Sequence, residues 1–169
     1  MVTLREWKES DAEALALLLN NKHILDNLRD GLPYPYTEND ALFYINTCIA
    51  AEKSAQFCLA IINDGEVVGS LGIFRQQNIH GRTAELGYYI GEEFWGRGIT
   101  TEAVRIACKY VFDNTDIVRI YAEPFAENIA SCRVLEKNGF VLEGILHKNA
   151  FKNWQFRDMK LYALVKLTI

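Results

Sequence analysis

The sequence predicts a single α/β domain: one mixed, mostly antiparallel sheet with helices on both faces. Three observations carry this. Residues 56–62 and 66–74 are rich in strand formers and flank Asn63-Asp64-Gly65, where Asp-Gly favours a tight hairpin turn. A strand over 82–90, helical spacing over 99–114 and a strand over 118–122 together imply a parallel crossover. Helical segments both precede and follow the hairpin, and a chain of 169 residues can bury roughly 68–70% of its unfolded surface in one core. With no repeat or linker visible, 1–169 is expected to be one domain.

Residues 2–7 alternate apolar and polar side chains as an opening strand does, and Ser10-Asp11-Ala12-Glu13 has capping-box spacing ahead of Leu15, Leu18 and Leu19. After a second short helical stretch, Gly31-Leu32-Pro33-Tyr34-Pro35-Tyr36 cannot continue a helix, because each proline lacks a donor and restricts its predecessor. Thr37 and Asp40 repeat the capping signal, and Ala41, Ile45, Cys48 and Ile49 form one stripe, placing a third helix that ends near Lys53. Beyond the hairpin and a polar turn over 76–81, the strand over 82–90 sets Ala84, Leu86, Tyr88 and Ile90 on one face and Glu85, Gly87 and Tyr89 on the other. Ala103, Ala107, Tyr110 and Val111 mark the buried side of the next helix. Asn128 then caps a helix that Gly139 ends, and 141–146 and 158–167 read as closing strands joined by an exposed turn.

A formal charge of -4 and a pI near 5.4 work against partners recognised by neutralising phosphates, so neither nucleic acid nor an anionic membrane is expected. The first residues lack a signal peptide's apolar core and no apolar run approaches ~18–20 residues, so a cytoplasmic protein is expected. Cys48, Cys58, Cys108 and Cys132 show no C-x-x-C pair and no His at zinc-ligand spacing, so they read as packed thiols and no metal is expected.

Chemistry concentrates in Glu93-Phe94-Trp95-Gly96-Arg97-Gly98-Ile99-Thr100. Two glycines between a strand and a helix let backbone N–H groups face an anion at the helix start, which points to a phosphate-bearing ligand. A Walker loop would need Lys and Ser or Thr where Arg97 and Gly98 stand; a dinucleotide fingerprint would need Gly or Ala at Thr101.

The loop resembles the pyrophosphate loop of the GNAT acetyltransferases, with Glu93 where that family usually has Arg or Gln. The likeness continues in Glu85-Leu86-Gly87-Tyr88-Tyr89-Ile90 before it, Asn128-Ile129-Ala130-Ser131 after it, then Leu135-Glu136-Lys137-Asn138-Gly139-Phe140 and Arg157-Asp158. Glu93 before the aromatic-Trp-Gly run is similar to the branch of ribosomal-protein N-terminal acetyltransferases. The resemblance implies a twisted sheet splayed at a central parallel strand pair, with acetyl-CoA as cosubstrate. Its diphosphate would lie over backbone donors at Arg97, Gly98, Ile99 and Thr100, with Phe94, Trp95 and Gly96 also at the cofactor. Tyr89 and Ile90 would pair with the pantetheine amides, and Asn128 would hydrogen-bond the same arm. The implied acceptor is an amine, a protein N-terminus first and a small amine such as an antibiotic or polyamine second; a homodimer is a common assembly among such enzymes.

Direct transfer needs a neutral amine, and an α-amine with pKa near ~7.7–8.0 needs less help than a lysine near ~10.4. Glu85, on the same strand face as Tyr89 with Gly87 between them, is the first candidate base; the alternative is an exposed glutamate paired with an arginine such as Arg82. Many GNAT enzymes place a tyrosine near the leaving sulfur, where this chain has Leu135, so Ser131, one helical turn after Asn128, stands in as the donor. A plain helix serine is the rival reading. Some ribosomal enzymes carry an acid on the turn before the last strand, a neighbourhood that here reads His147-Lys148-Asn149-Ala150-Phe151. That absence and Leu135 motivate a second class of function, an acyl-CoA-binding sensor without catalysis. Tyr34, Tyr36 and Trp154 are loop aromatics expected to line the acceptor pocket.

Overall fold

The computed structural model describes residues 1–53 and 55–167. In chain order its elements are β1 (Val2–Glu6), α1 (Ala12–Leu19), α2 (Lys22–Leu25), α3 (Glu38–Ala50), β2 (Gln56–Asn63), β3 (Glu66–Arg75), β4 (Thr83–Ile90), α4 (Ile99–Asn114), β5 (Arg119–Ala122), α5 (Ile129–Lys137), β6 (Val141–Lys152) and β7 (Gln155–Val165). The strands form one sheet in the order β1-β2-β3-β4-β5-β7-β6. Every neighbouring pair is antiparallel except β4 and β5, which α4 joins as the expected parallel crossover.

Two apolar cores sandwich this sheet. On one face α4 buries Ile99, Ala103, Val104, Ala107, Cys108 and Val111 against Ile61, Leu71, Ile73 and Leu86, with Leu135 and Phe140 from the α5 region. On the other face α1 and α3 pack Leu15, Leu19, Ala41 and Ile45 over Ala60 and Ile62, with Trp7 and Tyr36 closing the edge. Each Leu or Ile fully removed from water contributes about 1.5–3 kcal/mol, so the alternating strand pattern decides which face each strand residue serves.

The local signals hold in part. Thr37 caps α3 as expected: its hydroxyl accepts from the Asp40 N–H at 3.2 Å and the Asp40 carboxylate accepts from the Thr37 N–H at 2.8 Å. The helix stops at Ala50 rather than near Lys53. Ser10 is not the cap of the first helix. A 3-10 turn over Glu9–Asp11 precedes α1, and the Asp11 carboxylate accepts from the Lys8 N–H at 2.9 Å and from both Arg5 guanidinium nitrogens at 2.7 and 2.8 Å. The closing strands are also longer than expected. They meet at Asn153 and Trp154, both at positive φ (51° and 61°), the geometry of a two-residue hairpin turn without glycine. His147 to Phe151 therefore lies inside β6, not on the turn before the last strand.

Candidate active site

The parallel seam of the sheet is short. β4 and β5 pair only through Thr83 with Arg119, Ala84 with Ile120 and Glu85 with Tyr121, and then part. The Thr83 carbonyl accepts from Gln76 and the Gly91 N–H donates to Val68, both at 2.8 Å, so odd-numbered β4 residues spend their backbone groups on β3. The Arg82 carbonyl accepts from Val118 at 2.9 Å on the opposite edge, so Leu86, Tyr88 and Ile90 turn their amides and carbonyls into the gap. The Ile90 carbonyl is taken by the Trp95 indole N–H at 3.1 Å. The backbone expectation for Tyr89 is corrected here: paired with Ser70, it faces β3, and its ring lies on the α3 side.

At the wide end of the gap the chain turns through Gly96 (φ 73°) and Gly98 (φ 76°) into α4. Gly98 is the N-cap residue, so no side chain answers the first N–H groups of the helix, and a Cβ on either glycine would meet nothing within 4 Å. Open space and unanswered donors coincide, as an anion site requires. The loop is braced from outside by Glu92, which accepts from Asn21 Nδ2 at 2.6 Å and lies 2.9 Å from His23 Nδ1. These contacts, Asn21 first, hold the Glu92 carboxyl below its ordinary pKa.

Behind the loop the gap opens into a cavity of about 890 Å³ that crosses the sheet. Ile90, Phe94, Trp95, Gly96, Gly98, Ile99 and Thr100 line its loop end, and the Arg97 guanidinium lies 5.7 Å from the centroid of the Phe94 ring, outside the wall.

On the α3 side the wall carries Glu85 and Glu123. Glu85 forms an ion pair with Arg29, from the segment after α2, and not with Arg82, which pairs with Asp116 at 3.5 Å. Glu123 makes no hydrogen bond or ion pair among the described residues, and burial, then the Glu85 charge, raise its pKa. Burial raises the Tyr121 phenol as well. Sequence reasoning missed both Glu123 and Arg29. The strand signal over 118–122 stopped one residue short of Glu123, and Arg29 is 56 residues from its partner.

On the α5 side stand Asn128 and Ser131. Asn128 Oδ1 caps the helix by accepting from the Ser131 N–H at 3.1 Å, which leaves its amide nitrogen without a partner among the described residues. Ser131 Oγ lies 2.9 Å from the Tyr88 hydroxyl. Leu135 is fully buried in the core, so no donor replaces it there. Asn138 ties the end of α5 to the first turn of α4 by donating to the Thr101 carbonyl at 3.1 Å, and Gly139 (φ 80°) ends the helix. Arg157 stacks 3.9 Å from the Phe125 ring centroid and pairs with Glu127, holding the turn that delivers Asn128.

The aromatic residues expected around the acceptor are not brought to the cavity. Tyr36 is 3% exposed in the core under α3, where burial pushes its phenol up to about 12. Tyr34 faces outward beneath the Lys22 ammonium, and Trp154 is 91% exposed at the hairpin tip. Tyr44, Ser70 and Tyr89 line the cavity on that side instead.

Comparison with known proteins adds a family. Residues 1–141 match the acetyltransferase (GNAT) domain. A probable N-acetyltransferase of Bacillus subtilis, YjcK, is 36% identical over 118 residues, covering 68% of this chain and 64% of that protein. The spermidine N(1)-acetyltransferase of Escherichia coli is 32% identical over 95 residues, 56% of this chain and 50% of that one. Among solved structures, RimL, a ribosomal L7/L12 alpha-N-protein acetyltransferase in complex with coenzyme A, superposes with a TM-score of 0.87 at 25% identity, covering 98% of this chain and 94% of the other.

Proposed function

The chain belongs to the GNAT acetyltransferase family, and from that premise we propose that it transfers the acetyl group of acetyl-CoA directly to the α-amine of a protein N-terminus. The observation that carries the reading is the seam: the parallel pair parts after Glu85 and Tyr121, and the gap holds unpaired backbone groups at one end and two carboxylates at the other.

The residues present fit coenzyme A. The N–H groups of Ile99 and Thr100, with the open volume at Gly96 and Gly98, would receive the diphosphate. The backbone of Leu86 and Tyr88 and the free Asn128 amide would hold the pantetheine arm. The cosubstrate supplies the thioester whose acyl carbon is attacked.

Glu123 is the base in this reading. A carboxylate works best with a pKa lifted towards the working pH, and burial lifts Glu123 while Arg29 occupies Glu85. Glu85 then fixes Arg29 and raises Glu123 by its charge, a role different from the one its sequence position suggested. The amine's C–N bond forms, the C–S bond breaks with its electron pair going to sulfur, and the amine proton passes to Glu123 directly or through water. Ser131 donates a hydrogen bond to the departing sulfur. A thiolate, with pKa about 8.5 as for cysteine, is a far weaker base than an alkoxide, so the proton stays on Ser131 and only its dipole is used.

The same electrostatics favour an α-amine over a polyamine. A polycation needs several free carboxylates and Glu85 is already committed to Arg29, whereas an α-amine is partly neutral at pH 7. The test is thiol release from acetyl-CoA with a panel of N-terminal peptides, spermidine and an aminoglycoside. Turnover with peptides at a kcat/KM well above either small amine supports the reading; preference for spermidine transfers it to small amines, and no turnover with any acceptor removes the catalytic claim.

A further inference from the structure

The Tyr88 side chain has no place in the mechanism so far, yet it touches a group that does. It stands near the C-terminal end of β4 on the α5 face, its ring packed against the core beneath α4 and α5. Its hydroxyl lies 2.9 Å from Ser131 Oγ and 3.2 Å from the Ser131 carbonyl oxygen. Both residues line the cavity, and no other side chain bonds the Ser131 hydroxyl among the described residues.

One phenolic proton and two acceptors define two arrangements. When the Tyr88 hydroxyl donates to the Ser131 carbonyl, the serine donates to the phenol oxygen and its proton is turned away from the gap. When the phenol donates to Ser131 Oγ, the serine proton is released to point into the gap. We propose that Tyr88 is a positioning residue that holds Ser131 through this hydroxyl pair and, as negative charge develops on sulfur, donates to Oγ so that the serine proton is presented to the sulfur. No proton leaves either oxygen; the bonds that form and break are those at the acyl carbon, and the two hydroxyls only exchange hydrogen-bond partners. Burial raises the phenol's pKa, which keeps Tyr88 a donor across the working range. Two hydroxyls in series polarise one another, so the second strengthens the first.

The proposal rests on Ser131 acting as the sulfur's donor, and the test separates the two ideas. Tyr88→Phe removes the hydroxyl and keeps the ring. It is expected to lower kcat about tenfold, the effect of one hydrogen bond worth ~1.4 kcal/mol, with the KM for acetyl-CoA unchanged. In a Ser131→Ala background the same change is expected to cost less than about twofold, because the hydroxyl then has nothing to position. If Ser131→Ala lowers kcat but Tyr88→Phe does not, Tyr88 is removed and the serine stands. If Ser131→Ala itself leaves kcat unchanged, the underlying reading falls and takes this one with it. A Tyr88→Phe loss as large in the Ser131→Ala background as in the wild type would make Tyr88 a core residue acting independently and overturn the proposal; thermal midpoints of all three variants distinguish that from unfolding.

Discussion

Glu85 and Tyr121 are the last residues to face each other across the parallel seam, and one residue past the end of β5 the chain delivers Glu123 to the wall of the gap. Glu85 is held by Arg29 while Glu123 has no such partner among the described residues, so the two carboxylates are electrostatically distinct. Glu123→Gln is expected to lower kcat by about 10²–10⁴, the range for a lost general base. Because a base must be deprotonated and the pKa of Glu123 is raised, the wild-type rate, once divided by the fraction of acceptor amine that is neutral, should still fall on the acid side at a pH above the ordinary ~4.3 of glutamate, and the variant should lose that limb. Rate against pH with a neutral-pH reference checks both. Glu85→Gln losing the limb while Glu123→Gln keeps it would reverse the assignment.

Gly98→Ala addresses the anion site. The position sits at φ 76° with open space where a Cβ would stand, so the cost is backbone strain of about 1–2 kcal/mol and not a clash. A fall of roughly 2–8 °C in thermal midpoint is expected at this chain size, together with weaker acetyl-CoA binding measured by titration calorimetry. Unchanged affinity would mean the helix start does not receive the diphosphate.

Tyr36 and Trp154 should behave oppositely. Tyr36→Ala empties a core site and is expected to cost about 3–5 kcal/mol, as large aromatic truncations do. Trp154→Ala, at an exposed tip, should shift stability by no more than ~0.5 kcal/mol. Urea melts of the two variants decide it.

Asp11 accepts three hydrogen bonds that fix the entry to α1. Asp11→Asn is expected to cost about 2 kcal/mol, at the modest end for a bond to charge because Arg5 is about one-third exposed. Arg5 is the main cause of a lowered Asp11 pKa. A carboxyl whose folded pKa is depressed stabilises fully above its unfolded value near ~3.9 and loses that contribution as pH falls through the folded value. Stability measured from pH 5 downward should therefore drop less steeply in the variant than in the wild type.

What was legible in the sequence is what the chain enforces locally. Asn128, Gly98, Thr37 and the Asp64-Gly65 turn each act within a few residues of themselves, and each stands where its spacing placed it. Arg29 and Glu123 escaped because their roles depend on strand register and on a loop crossing the cavity, neither of which has a sequence period. Tyr88 was visible only as an inward-facing strand residue; that its hydroxyl reaches Ser131, 43 positions later, follows from the crossover alone. The closing strands were read too short because Asn153-Trp154 reaches positive φ at both positions without the glycine that usually announces so tight a turn.

The parted seam has a consequence for motion. From Leu86 onward the inner edge of β4 lacks a neighbouring strand, so its amides there are expected to exchange with deuterated solvent faster than those facing β3. A ligand threaded along that edge serves as the absent strand. Saturating it at a hundredfold excess over its dissociation constant would stabilise the fold by about 2.7 kcal/mol, and the resulting slowing of exchange should concentrate at Leu86, Tyr88 and Ile90, tracing in solution the line along which the sheet was left unfinished.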